Sequence, residues 1–216
     1  MNVSHTDPGE RDPAQGGPSH RAGAKSARAA ATRQALVDAG RALFAEHGYA
    51  ATPREEIVAR AGVTRGALQH HFGDKQALFR EVFEQVESDV VEAVATAAMA
   101  AGADPLAELR AGCQAYLDAV LDPAVQRICA IDGPAVLPED VRRAITDRYA
   151  LGLVRSAVEG AIATGQIEAV PVEALARVLL AAVTAAAQFV ATAPEPSEAR
   201  EEAGRTVDLL LARLGR

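Results

Sequence analysis

The chain has 216 residues, 49% of them apolar and only 4% aromatic, and carries a formal charge of −7. That length holds one sizeable core, or a small domain beside a medium one. The apolar share is mostly alanine, a strong helix former and a poor strand former, and no alternating Val/Ile/Thr run bounded by turns occurs, so the chain is expected to be all-α.

The longest uncharged apolar stretch, Val178 to Ala193, falls short of the roughly eighteen residues that suggest a membrane span. The first twenty-one residues, rich in Gly and Pro, contain no apolar signal core. The expectation is a cytoplasmic protein with no membrane partner. Cys113 and Cys129 stand alone, without zinc or redox spacing, and read as small core residues in a reducing compartment.

The charge is unevenly placed. Residues 21–80 carry ten basic and five acidic side chains, while residues 81–216 carry eleven basic and twenty-one acidic ones. A basic module joined to an acidic body suits a protein whose N-terminal part meets phosphate.

Residues 1–24 hold Gly, Pro, Ser and His with almost no large apolar residue, and read as a disordered arm. Its basic end, from Arg21 through Lys25 and Arg28 to Arg33, either touches phosphates or a minor groove, or is simply solvated. A first helix is expected from about Ala30 to His47, closed by Gly48, with Leu36, Ala39, Leu43 and Phe44 on one face. Thr52 as N-cap, Pro53 at the first position and Glu55 three residues on form the start signal of a second helix. Ala61-Gly62-Val63 makes a tight turn, and Thr64 opens a short third helix through about His71. Asp74 caps a fourth helix from Lys75.

Helices two and three, joined by a Gly-containing turn, form a helix-turn-helix unit at about residues 53–72. A helix as short as the third is stable only if packed, here through Leu68 and Phe72. That packing turns Arg65 and Gln69 outward, with Gly66, Ala67 and His70 beside them. Such a face can enter a major groove: Arg65 can donate twice to guanine and Gln69 can pair with adenine. His70 and His71 can donate to base edges or phosphate. Thr52, Thr64, Arg33 and Lys75 are candidate phosphate contacts.

The segments ATRQALVDAGRALFAEHGYAAT and REEIVARAGVTRGALQHHFGDKQALFREVF, within residues 31–83, resemble the DNA-binding domain of the TetR/AcrR family of regulators. The resemblance implies a three-helix DNA-binding head, a helical effector-binding body, and a homodimer on a palindromic double-stranded operator. The implied divisions are a head at residues 25–83 and a body at 84–216. Most members carry a Tyr where this chain has Gln69, so operator preference does not carry over.

In the body, helices are expected from Pro105 to about Leu121, from Pro123 to about Ile131 up to a break at Gly133-Pro134, from Pro138 to about Thr164, from Pro171 to about Ala191, and from Ser197 to about Leu214. The segment LDPAVQRICAIDGPAVLPED resembles a subgroup of the same family. Family resemblance places an effector cavity among the middle helices, with candidates Cys113, Tyr116, Leu117, Val120, Arg127, Ile128, Asp132, Tyr149 and Gln188. Arg127 and Asp132 either pair with each other or offer one charge to an effector. The last two helices are the dimer candidates, through Val178, Ala182, Ala185, Phe189, Val207, Leu210, Leu211 and Leu214; packing within one chain is the alternative.

The rivals are a helix-turn-helix protein without a small-molecule effector and a small enzyme. No nucleophile–base pair, metal spacing or Gly-rich phosphate loop is present, so catalytic residues, metal sites and cofactors are not expected. The expected function is a transcriptional regulator, a repressor released from its operator by a small-molecule effector, with activation left open.

Overall fold

The computed structural model describes residues 18–215, with side chains from residue 23 onward. Among the described residues the regular structure is helical: α1 (Pro18–Ala51), α2 (Arg54–Arg60), α3 (Arg65–Phe72), α4 (Lys75–Ala100), α5 (Pro105–Ala119), α6 (Pro123–Val125), α7 (Gly133–Val136), α8 (Glu139–Thr146), α9 (Gly152–Ala163), α10 (Val172–Thr192) and α11 (Pro196–Leu214). Two π-helical turns, Gln126–Asp132 and Asp147–Leu151, join α6 to α7 and α8 to α9.

The expected arm at 1–24 lies outside the described residues as far as 17, and residues 18–24 are helical instead. The reason is local: the Ala-, Lys- and Arg-rich run that follows has high helix propensity and carries α1 backward. α1 bends at Gly48, whose φ of 78° only glycine adopts freely.

Aspartates set the starts of three helices. Asp74 accepts from the Ala77 N–H at 2.7 Å, Asp104 from Leu106 and Ala107, and Asp122 from Ala124 and Val125. The start of α2 differs from expectation. Pro53 occupies the cap position, and Thr52 is fully buried, its hydroxyl donating to the carbonyls of Gly48 (2.8 Å) and Leu43 (3.3 Å). The bend at Gly48 returns the chain across the end of α1, and Thr52 satisfies carbonyls orphaned there.

The expected break at Gly133-Pro134 does not occur, because proline is tolerated in the first turn of the helical segment that begins there. The turn also approaches α4 closely: a Cβ on Gly133 would lie 2.7 Å from the Phe83 ring. The single helix expected from Pro138 is α8, a π turn and α9 in series.

Two apolar clusters hold the molecule. One gathers Leu36, Val37, Leu43 and Phe44 of α1, Ile57, Leu68, and Leu78, Phe79, Val82, Phe83 and Val86 of α4, and extends to Ile128, Leu137 and Ile145. Residues on both sides of the expected boundary at 83/84 thus share one core, spanned by α4. The other joins α5, α9, α10 and α11 around Leu117, Val158, Val190 and Leu211. By length and composition α10 could cross a bilayer; in this fold its Val183, Ala187 and Val190 are buried in the second cluster, and Ala176 is buried too.

Candidate nucleic-acid interface and body cavity

α3 is a rod of eight residues seated by Leu68, which is 3% exposed, with Phe72 packed against the same cluster. Thr64, Arg65, Gly66, Gln69 and His70 are exposed, and Ala67 and His71 are half-buried. Thr64 occupies the cap position with extended backbone, and its hydroxyl makes no capping bond. Arg65 lies 3.1 Å from Glu55 across the turn. The Glu55 backbone N–H and the Arg65 guanidinium hold that carboxyl below its ordinary range. Both side chains are solvent-exposed, and such pairs are weak, so Arg65 can exchange Glu55 for another acceptor.

Three residues read as phosphate contacts are engaged elsewhere. Thr52 is buried beneath α1. Lys75 donates to the carbonyls of Tyr49 (2.7 Å) and Thr52 (2.9 Å), with its ammonium 4.1 Å from the Tyr49 ring centroid. It clasps the bend between α1 and α2 to α4. Burial and the neighbouring Arg54 charge pull the Lys75 pKa down. Arg33 is bonded to Glu81 at 2.7 Å and stacks 4.9 Å from the Phe72 ring centroid, fixing α1 against α4. A lysine opening a helix and an arginine on a basic helix give no sequence sign that their charges serve the fold.

A cavity of about 220 Å³ lies in the body among α4, α5, α9 and α10. Of the pocket candidates, Cys113 and Tyr116 line it; Glu87, Val91, Val94 and Leu109 are lining residues absent from the sequence-based candidates. Met99 and Leu153 at its rim are exposed. Burial pushes the Cys113 thiol up to about 11 and drives the Tyr116 phenol above its ordinary range. A smaller cavity of about 30 Å³ shares Glu87, Tyr116 and Thr146 with the first, and Val120, Cys129 and Gln188 lie on it. The signal for Glu87 was its spacing: it falls on the buried stripe of α4, between Phe83 and Val90.

The other pocket candidates lie elsewhere. Leu117 and Ile128 are fully buried packing residues. Arg127 and Asp132 pair at 3.4 Å, and Asp132 accepts the Tyr49 N–H at 2.7 Å, so the pair ties the body to the bend in α1. Tyr149 donates its hydroxyl to Glu84 at 3.1 Å. Among the dimer candidates, Val207 and Leu211 are buried within the chain and Leu214 packs on the same cluster. Val178, Ala185, Phe189 and Leu210 are exposed, and Ala182 is half-buried. The final helix uses its Val207–Leu211 face inward because α5 and α10 cover it.

A helix-turn-helix head fused through a long helix to a hollow helical body defines a class of bacterial regulatory protein, and the comparisons agree. Residues 36–82 match the family described as "Bacterial regulatory proteins, tetR family", and residues 106–214 match "Tetracyclin repressor-like, C-terminal domain". The chain belongs to the TetR family, whose members are DNA-binding transcriptional regulators. It is 42% identical over 79 residues to the HTH-type transcriptional regulator AcrR of Shigella flexneri, an alignment covering 37% of each chain. The chain spans less than half the length of the curated relatives it matches. Among solved structures, a TetR-family transcriptional regulator from Pectobacterium atrosepticum superposes with a TM-score of 0.78 at 30% identity, over 88% of this chain and 96% of that one. SmeT, the repressor of the Stenotrophomonas maltophilia multidrug efflux pump SmeDEF, superposes with a TM-score of 0.68 at 27% identity, over 85% and 90%. SmeT is also known in complex with triclosan, a structure with a TM-score of 0.66 at 26% identity, over 86% and 92%.

Proposed function

We propose that this chain is a dimeric repressor that reads a palindromic operator with α3 and leaves it when a small molecule enters the body cavity. The observation that carries the reading is the division of α3: Leu68 is buried while Arg65, Gly66, Gln69 and His70 are solvent-exposed. Gly66 has nothing within 4 Å of where a Cβ would be, so the surface lets a duplex approach closely. A major groove admits one helix, and two such helices about 34 Å apart match successive grooves.

The exposed apolar stripes on α10 and α11, with Val178 64%, Phe189 51% and Leu210 50% exposed, supply a self-complementary surface for a two-fold partner. A cavity with apolar walls supplies the effector site, in keeping with SmeT, which is held with triclosan. A ligand there bears on α4, which also carries the Lys75 clasp and the core under α3. Coupling of about 1–3 kcal/mol between the sites is typical.

The test is selection of binding sites from random duplexes by the full chain, followed by titration of the selected site. Arg65→Ala and Gln69→Ala should each relax preference at one defined base pair, at about 1–3 kcal/mol. Loss of affinity without any change of base preference in both variants sinks the assignment of the reading face.

A further inference from the structure

Glu55 and Glu56, neighbours in the first turn of α2, have different surroundings. Glu56 lies 3.9 Å from His47 of α1, and Glu55 lies 3.1 Å from Arg65 of α3. Successive helical positions are about 100° apart, so one acid is turned toward α1 and the other toward α3. Among the described residues, Glu55–Arg65 is the only ion pair that joins α2 to α3. No side chain caps α2, and the Glu55 carboxyl accepts its own backbone N–H. The acid is therefore ionised at neutral pH and tied to the start of its helix.

Glu55 also belongs to the reading surface. A notch of about 180 Å³ lies between α2 and α3, bordered by Arg54, Glu55, Val58, Arg65, Leu68 and Gln69. Val58 and Leu68 are buried and form its floor, while the four polar side chains are exposed and form its rim. The side chains assigned to base edges, Arg65 and Gln69, thus share this rim with a carboxylate. Near a duplex an acid is repelled by phosphate, so Glu55 weakens binding to DNA of any sequence. An arginine without such a neighbour would turn to the nearest phosphate and favour every sequence alike. Here that turn abandons Glu55, an anion then left among phosphates.

We propose that Glu55 is a specificity-determining residue, which keeps Arg65 in the pose that reads guanine and holds it back from phosphate. The proposal rests on the reading of α3 as the DNA-facing helix and names the residue that sharpens its selection. The guanidinium has donors enough. Its Nη2 bonds Glu55, and the remaining N–H groups exceed the two that a guanine edge accepts. In water this exposed pair is weak; in a groove that displaces water it tightens, because the local dielectric falls.

The test is equilibrium binding by the full chain, as wild type, Glu55→Gln, Arg65→Ala and the double variant. The duplexes are the selected site, the same site altered one base pair at a time, and a random sequence. Glu55→Gln should bind the random duplex at least about twofold more tightly and lose about fivefold of the guanine preference at one base pair. On the Arg65→Ala background the same change should strengthen binding to every duplex alike and move no base preference. A guanine preference in Glu55→Gln equal to wild type overturns the proposal and leaves α3 as the reader. Weaker binding of Glu55→Gln to all duplexes alike also overturns it, marking Glu55 as part of the helix start alone. Unchanged base preference in Arg65→Ala overturns the proposal together with the guanine contact on which it rests.

Discussion

Lys75→Met separates two incompatible roles for one lysine. The substitution keeps the apolar stem and removes the ammonium, and with it hydrogen bonds of 2.7 and 2.9 Å to two carbonyls and a cation–π contact at 4.1 Å. Hydrogen bonds to a charged group contribute about 1.5–3 kcal/mol each, and a partly exposed cation–π contact about 0.5–1 kcal/mol. Desolvation of the ammonium, visible in its lowered pKa, offsets part of this. The net expected loss is about 2–3 kcal/mol, or about 4–12 °C in Tm for a chain of this size. The assay is urea and thermal unfolding of the DNA-free protein, paired with operator titrations across salt. The clasp is refuted if stability changes by less than about 0.5 kcal/mol while the salt slope of DNA binding falls by about one phosphate contact.

Further outcomes follow from the same geometry. Gly48→Ala should destabilise by about 2–4 kcal/mol, because φ is 78° and the new Cβ would meet Arg127 Nη2 at 2.0 Å; adding Arg127→Ala should recover part of the loss in denaturant melts, leaving the backbone strain. Glu87 keeps its proton in the native state up to about pH 7, whereas the unfolded chain releases it near 4.5, so its contribution to stability is full below pH 4.5 and is lost as pH rises to about 7. The urea-derived stability of Glu87→Gln relative to wild type should therefore rise by about 2 kcal/mol between pH 5.5 and 8; a flat difference contradicts the raised pKa. Phe189→Glu and Leu210→Glu should convert a dimer to monomer in sedimentation. Leu211→Ala should instead cost about 2–5 kcal/mol of fold stability, with little effect on association.

Much of this architecture is legible in the residues. The Asp74, Asp104 and Asp122 caps name helix starts outright, and the spacing of Leu68 and Phe72 turns Arg65 and Gln69 outward. What escapes is any feature that depends on contacts distant in sequence. Thr52 carries the pattern of a helix cap, yet the fold across Gly48 carries it beneath α1. Lys75 and Arg33 look like free charges because Tyr49, Glu81 and Phe72 are their neighbours only in space. Leu211 and Leu210 read alike on a helical wheel, and only the position of α5 and α10 decides which is inside. The π turns, which let Gly133-Pro134 stay helical, have no marker in the local composition.

One of those turns has a consequence for design. Across Gln126–Asp132, Cys129 borders the small inner cavity beside Glu87, and three residues on, Asp132 holds the Tyr49 N–H at the base of the head. A π turn exists by virtue of one surplus residue. Deleting a single residue here would restore an ordinary α pitch and remove the bulge that sets Asp132 against the Tyr49 N–H. Such a shortened chain would keep the body cavity and α3 and lose one tie between the body and the bend in α1.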